Sequence, residues 1–244
     1  VKDGLQQLDL ERSRQMASEF QQRLEAARKP SHGGVHPFSQ AWAEGRLSRE
    51  QLGRWAIQHH YYIDQIPQQF AHLFARLPDL DARLFLLENL LGEEDPKGRH
   101  PDLLVKFGVA CGVEVEAFTT SEIRGEILPA TRAMRSWVWE LVAFRTPAEA
   151  AAGIMVGLEG QLPTLYPKYV EALKKMEFSD EDLRFFRVHI EGDVEHNHIG
   201  LEICERYATT PELQARAIAT VRASGQMRWA FLSGMYEAIV LGAQ

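Results

Sequence analysis

The sequence predicts an all-α, single-domain protein, and three observations carry that prediction. Strand-like alternation is nearly absent, helix-start signals recur along the chain, and most connections between the helical stretches are short. No repeat, low-complexity stretch or linker divides residues 1–244, so the expectation is one helical domain.

Each element has a local reason. Helices are expected near 5–28, 37–45, 48–76, 80–92, 100–111, 129–145, 147–175, 179–208 and 210–242. Leu47-Ser48-Arg49-Glu50-Gln51 supplies a staple residue, an N-cap and its reciprocal Gln ahead of a long amphipathic run. Thr146-Pro147-Ala148-Glu149 gives an N-cap, a proline at the first helical position and Glu three residues on. Ser179-Asp180-Glu181-Asp182 puts acids on the positive end of a helix, and Thr210-Pro211-Glu212 opens the last one. Only 29–36 and 112–128 read as longer connections. Long helices joined by short turns pack as a bundle.

Composition limits the function. A chain of 244 residues that is 45% hydrophobic can bury a full core. No run approaches the roughly 18 to 20 apolar residues of a membrane span, so no membrane role is expected. A net charge of −7 without a basic patch argues against a nucleic-acid partner. Two cysteines, Cys111 and Cys204, and the polar start VKDGLQQLDLERSRQM point to a reducing, cytoplasmic setting without a signal peptide. A homodimer with a small-molecule substrate is expected. Trp137, Trp139, Trp229 and Phe231 are assigned to core or to a subunit contact.

Residues 189–198, HIEGDVEHNH, concentrate the chemistry. On a helix His189, Asp193 and His196 form one stripe, whereas Glu191, Glu195 and His198 point elsewhere. Two imidazoles and one carboxylate on a face suit non-haem iron, and they suit a solvated polar face as well. A metal stripe needs ligands from facing helices. Glu159, set in the apolar and small-residue stretch GIMVGLEGQLPTLY, is the best placed, since a lone buried acid requires a partner. Pro163 cannot donate to the Glu159 carbonyl, so the helix should loosen there. In LLENLLGEEDPKGRHP, Glu93 (or its neighbour Glu94) and His100 are further candidates, but Pro96 and Gly98 interrupt their helix. An ordinary acidic turn accounts for that segment equally well.

Taken together, Glu93, His100, Glu159 and His189-x3-Asp193-x2-His196 resemble the haem-oxygenase-like di-iron oxidase and oxygenase superfamily, over most of the chain from HPFSQAW onward. The resemblance implies a haem-oxygenase-like bundle of about seven core helices. It also implies these six residues as ligands of two Fe(II) ions, and O2 as co-substrate. The reaction would abstract hydrogen from, or transfer oxygen to, a small organic substrate such as an amino acid or a fatty acid. QHHYYIDQIPQQFAHLFARLPD and DVEHNHIGL also resemble pyrroloquinoline quinone synthase, a cofactor-free oxidase of the same fold. That resemblance implies a pocket lined by His59, Tyr61, Tyr62, Ile66 and Pro67. Half-buried aromatic packing is the competing role for these rings. Thiaminase II shares the fold but uses a cysteine nucleophile, and neither cysteine here matches its setting. A self-sacrificing para-aminobenzoate synthase is similar too, with Ser39 at the place of its donor tyrosine. Lys168 is a candidate anchor for a substrate carboxylate, against the ordinary role of a solvated helix lysine. A cofactor-free oxidase or a small-molecule binder of the same fold is the alternative function.

Overall fold

In the computed structural model residues 17–242 are described, and among them every regular element is helical. The chain order is α1 (Glu19–Arg28), two short 3-10 turns, α2 (Pro37–Ala43), α3 (Arg49–Ile63), α4 (Ile66–Arg76), α5 (Leu80–Glu93) and α6 (His100–Ala110). Next come the short α7 (Ala117–Thr120), α8 (Pro129–Phe144), α9 (Pro147–Ala151), α10 (Leu162–Lys175), α11 (Arg184–Tyr207) and α12 (Pro211–Met235). The expected all-α bundle is what forms. The N-terminal part of the first expected helix, 5–16, lies outside the described residues, and α1 starts only after its N-cap Ser18.

Three expected boundaries change, each for a local reason. The helix expected over 48–76 is two helices broken at Asp64-Gln65. Pro67 has no N–H for the Ile63 carbonyl, and its ring disfavours helix in the residue before it, so α3 ends and α4 restarts with the proline in its first turn. The helix expected from 179 starts at Arg184. Ser179 and Asp182 cap each other in a separate turn, with Ser179 N–H and Oγ donating to Asp182 Oδ2 at 2.8 and 2.7 Å. Between α9 and α10 the chain stays helical but changes pitch, through a π turn over Ala152–Leu158 and a 3-10 turn over Glu159–Gln161. This is the loosening expected from Pro163.

The π turn is the centre of the bundle. All seven of its residues are buried, and α11 and α12 pack against it from two sides. Small residues allow that approach. A Cβ on Gly200 of α11 would stand 2.6 Å from Met155 Cβ, and one on Gly157 would stand 2.9 Å from Ser224 Cβ of α12. The side chain of Gln161, fully buried, ties the turn to the N-terminal loop: it accepts from Gly33 N–H at 2.7 Å and donates to the Gly157 carbonyl at 2.6 Å. An aromatic cluster of Trp42, Trp55, Phe107, Tyr169 and Phe186 fills the space between α2, α3, α6, α10 and α11. No helix among the described residues is long and apolar enough to cross a membrane.

Candidate metal centre

Six side chains from four elements meet beside the π turn. Glu93 is the last residue of α5 and His100 the first of α6, and the turn between them folds so that His100 Nδ1 lies 3.1 Å from Glu93 Oε2. The turn holds itself together. Asp95 accepts from Lys97 N–H and Gly98 N–H, both at 2.9 Å, and Arg99 pairs with Glu94 at 2.6 Å. Glu94 therefore faces the surface while Glu93, 5% exposed, faces inward. His189 on α11 completes this group, its ring centroid 4.5 Å from that of His100. The Nδ1 of His189 donates to the Phe185 carbonyl at 2.7 Å, which leaves the Nε2 lone pair free.

The second group is Glu159, Asp193 and His196. Glu159 follows the π turn directly, and Asp193 and His196 lie one turn apart on α11. His196 Nδ1 stands 3.2 Å from Asp193 Oδ1 and 3.5 Å from Glu159 Oε2. Within each trio the three donor atoms lie within 4.8 Å of one another.

The electrostatics fit a cation site. His100 Nδ1, Glu159 Oε2, Asp193 Oδ2 and His196 Nδ1 are buried with no hydrogen-bond partner. Such groups are costly to leave unsatisfied, and four in one place call for a cation. Burial pushes the Asp193 carboxyl up to about 7, with Glu159 adding to the rise against the pull of His196. Burial opposes the charging of His196, but the Asp193 and Glu159 carboxylates overcome it and carry the imidazole well above its ordinary range. Burial, helped by the charge of His100, drops His189 to about 3. Burial would raise Glu93, but the histidines facing it hold it below the usual carboxylate value. Three convergent carboxylates and three imidazoles, which metal binding would deprotonate, fit two divalent first-row metal ions.

His198 points away from this cluster, 40% exposed at its side chain and 3.4 Å from Glu202. Of the expected pocket residues, His59 and Tyr62 are buried near the centre. His59 Nε2 is 3.4 Å from the Tyr166 hydroxyl, and Tyr166 lies 6.0 Å from the His189 ring. Tyr61 is not brought there. Its hydroxyl donates to Glu122 at 2.7 Å and its ring lies under Arg135, on the opposite face of α3. Lys168 is exposed on α10. Phe231, assigned from sequence to core or a subunit contact, packs 5.8 Å from Tyr62 and 6.1 Å from His59. Ser39, which the sequence places where a donor tyrosine would fall, is buried, and two further buried polar side chains, Asn89 and Arg228, escaped the sequence reading. Ser39 accepts from the Tyr169 hydroxyl at 2.7 Å. Asn89, one turn before Glu93, has neither amide atom partnered, and Arg228 of α12 is 5% exposed with its Nε unpartnered.

The chain is similar to known proteins in sequence and in fold. The chain is 29% identical over 229 residues to a 4-aminobenzoate synthase of Nitrosomonas europaea, covering 89% of this chain and 91% of that one. It is 31% identical over 184 residues to a 4-aminobenzoate synthase of Chlamydia trachomatis, covering 72% and 75%. A pyrroloquinoline-quinone synthase of Acidiphilium cryptum is 28% identical over 226 residues, covering 91% and 90%. Among solved structures, a TenA homologue of Pseudomonas syringae superposes with a TM-score of 0.76 at 20% identity, covering 91% of this chain and 94% of that one. A haem-oxygenase-like domain of Shewanella denitrificans superposes with a TM-score of 0.74 at 16% identity, covering 91% and 92%. These two establish the haem-oxygenase-like fold. Residues 53–229, which hold all six convergent donors, match the family described as iron-containing redox enzymes, and the chain belongs to that family.

Proposed function

We propose that this protein is a non-haem di-iron, O2-dependent oxidase or oxygenase acting on a small organic substrate. The observation that carries the reading is the pair of buried trios, with four donor atoms that no protein group satisfies. Glu93, His100 and His189 would hold one iron, and Glu159, Asp193 and His196 the other. Iron, when bound, supplies one-electron redox chemistry toward O2. The chain does the rest. Its three carboxylates offset most of the charge of two Fe(II) ions. The Phe185 carbonyl fixes the His189 tautomer, so that Nε2 faces the centre. The Asp193 and Glu159 carboxylates favour a proton on His196 in the metal-free site, and a bound cation would displace it. The buried aromatic wall of Tyr62, Tyr166 and Phe185 keeps bulk water from a reactive centre. The two cysteines are free and buried, which fits the reducing, cytoplasmic placement we infer.

The likeness to pyrroloquinoline-quinone synthase supports a second reading, a cofactor-free oxidase. It gives no role to four orphaned donors. The likeness to 4-aminobenzoate synthases suggests that product, but Ser39 offers no phenol ring for it at the place where the donor tyrosine would fall.

The deciding experiment is anaerobic titration with Fe(II), followed by mixing with O2. Two irons per chain and an absorbance change that depends on O2 are expected. A protein that takes up no iron, yet consumes O2 with a substrate, would belong to the cofactor-free class.

A further inference from the structure

Arg228 is a buried cation that no described residue answers. It lies on α12, 5% exposed, and its Nε is buried without a hydrogen-bond partner. Among the described residues no carboxylate stands within ion-pair distance of its guanidinium. A guanidinium does not neutralise itself by losing a proton. Burying one without an anion is among the costliest arrangements a fold can keep, so an anion from outside is the natural complement.

The surroundings place that anion with respect to the metal centre. The chain approaches Arg228 closely at Gly33, where a Cβ would stand 3.3 Å from Arg228 Cδ. One turn on, Phe231 packs 5.8 Å from Tyr62 and 6.1 Å from His59. His59 contacts the Tyr166 hydroxyl at 3.4 Å, Tyr166 lies 6.0 Å from the His189 ring, and Phe185 lies 4.5 Å from it. Aromatic rings therefore run from Phe231, one turn from Arg228, to the first trio. Tyr62 stands in the field of Arg228 together with that of Glu159, Asp193 and Glu93. His59 adds a second buried, unpartnered nitrogen, Nδ1, along the same path.

We propose that Arg228 is the carboxylate anchor of the substrate site. The substrate is a small organic acid whose carboxylate sits on the guanidinium fork and whose apolar body lies along Phe231, Tyr62 and Tyr166 toward the two trios. A carboxylate matches the planar fork with two parallel hydrogen bonds, and its single charge matches the single cation. A phosphate dianion would need a second buried cation. The proposal rests on the di-iron reading for the reaction, but not for the binding.

The test compares acids with neutral molecules of the same shape. Benzoate and hexanoate, each against its amide, are titrated into the metal-free and the Fe(II)-loaded protein, with binding followed by ligand-observed NMR and by melting temperature. In the wild type the acids should bind at least about tenfold more tightly than the amides, as the loss of a charge-assisted hydrogen bond implies. Arg228→Gln should erase that preference and Arg228→Lys should keep part of it. Ligand-free Arg228→Gln should melt no lower than wild type, because the cation it removes has no partner there. Arg228→Gln should still take up its iron. The proposal is overturned if neither acid is preferred over its amide in the wild type, if Arg228→Gln keeps the preference, or if inorganic phosphate displaces the acids at equal concentration. A wild type that prefers the acids but takes up no iron would sink the di-iron reading and leave this one standing.

Discussion

Glu93 Oε2 and His100 Nδ1 stand 3.1 Å apart across the turn that separates α5 from α6, yet the nitrogen has no aligned hydrogen bond. The turn thus holds the two atoms in place without joining them. A cation bound between them would tie the end of one helix to the start of the next. Backbone amides of 94–99 should exchange more slowly once Fe(II) is added, as read by hydrogen-exchange mass spectrometry. Equal exchange with and without metal would count against Glu93 and His100 as ligands.

Iron stoichiometry should separate the ligands from their neighbours. Even outer partners of metal ligands cost about 10- to 100-fold in affinity when removed. Glu159→Ala, His189→Ala, Asp193→Ala and His196→Ala should therefore each weaken iron binding at least that much. His198→Ala removes an exposed ring paired with Glu202 and should leave the stoichiometry at wild-type level. Loss of iron in His198→Ala with retention in His196→Ala would require the site to be redrawn.

Stability of the metal-free protein should move the other way. Asp193 is 1% exposed, with one oxygen unpartnered and burial holding its carboxyl near 7. Asp193→Asn removes a buried charge beside Glu159 and nearly preserves shape. We expect a melting temperature equal to or above wild type in the presence of chelator, and below it in the presence of Fe(II).

His36 gives the metal-free fold a pH dependence of its own. Its Nδ1 accepts from Phe38 N–H at 3.1 Å at the start of α2, and its Nε2 meets Ser233 Oγ at 3.1 Å. Burial lowers its pKa to about 4, below the roughly 6.5 of a free imidazole. Between those values the unfolded chain binds a proton that the folded chain does not. The contribution of His36 to stability is therefore complete above about pH 6.5, declines as the pH falls, and is gone below about pH 4. His36→Asn keeps an acceptor at the N-cap and does not titrate, so urea midpoints measured from pH 7 to 4 should fall less steeply than in the wild type. Parallel slopes would refute this.

Gly200→Ala tests the close approach of α11 to the π turn. The added methyl would stand 2.6 Å from Met155 Cβ, and strain of this kind costs about 1–3 kcal/mol. Gly92, where a Cβ would meet nothing within 4 Å, is the control, and Gly92→Ala should be neutral or slightly stabilising. Denaturant unfolding distinguishes the two.

The stripe His189, Asp193 and His196 was legible in the sequence because helical phase is a local property, and Glu159 was legible because a lone acid in an apolar stretch demands a partner. Pro163 announced the change of pitch, though not its form. The break at Asp64-Gln65 was hidden because the hydrophobic pattern continues through it, and only Pro67 marked the spot. Tyr61 and Tyr62 could not be told apart by type. Which of them faces inward depends on α8, whose Arg132 and Arg135 take Tyr61. The meeting of Glu93 with His100 depends on the fold of a six-residue turn, 94–99, which no periodicity describes. Arg228 was missed because isolated helix arginines are ordinarily solvated, and only tertiary packing shows that this one is buried.

The π turn over Ala152–Leu158 also bears on how this chain tolerates length changes. A π turn arises when one additional residue is accommodated inside an α-helix, and each residue advances a side chain by about 100°. Glu159 immediately follows the turn, so its direction is set by that surplus residue. Deleting any one of the seven would let the segment relax to regular α pitch and swing the carboxylate about a quarter-turn off His196, while the apolar content of the helix hardly changed. This stretch can therefore exchange one apolar residue for another far more readily than it can lose one, and a single-residue deletion here would disable the second trio in a protein that still folds.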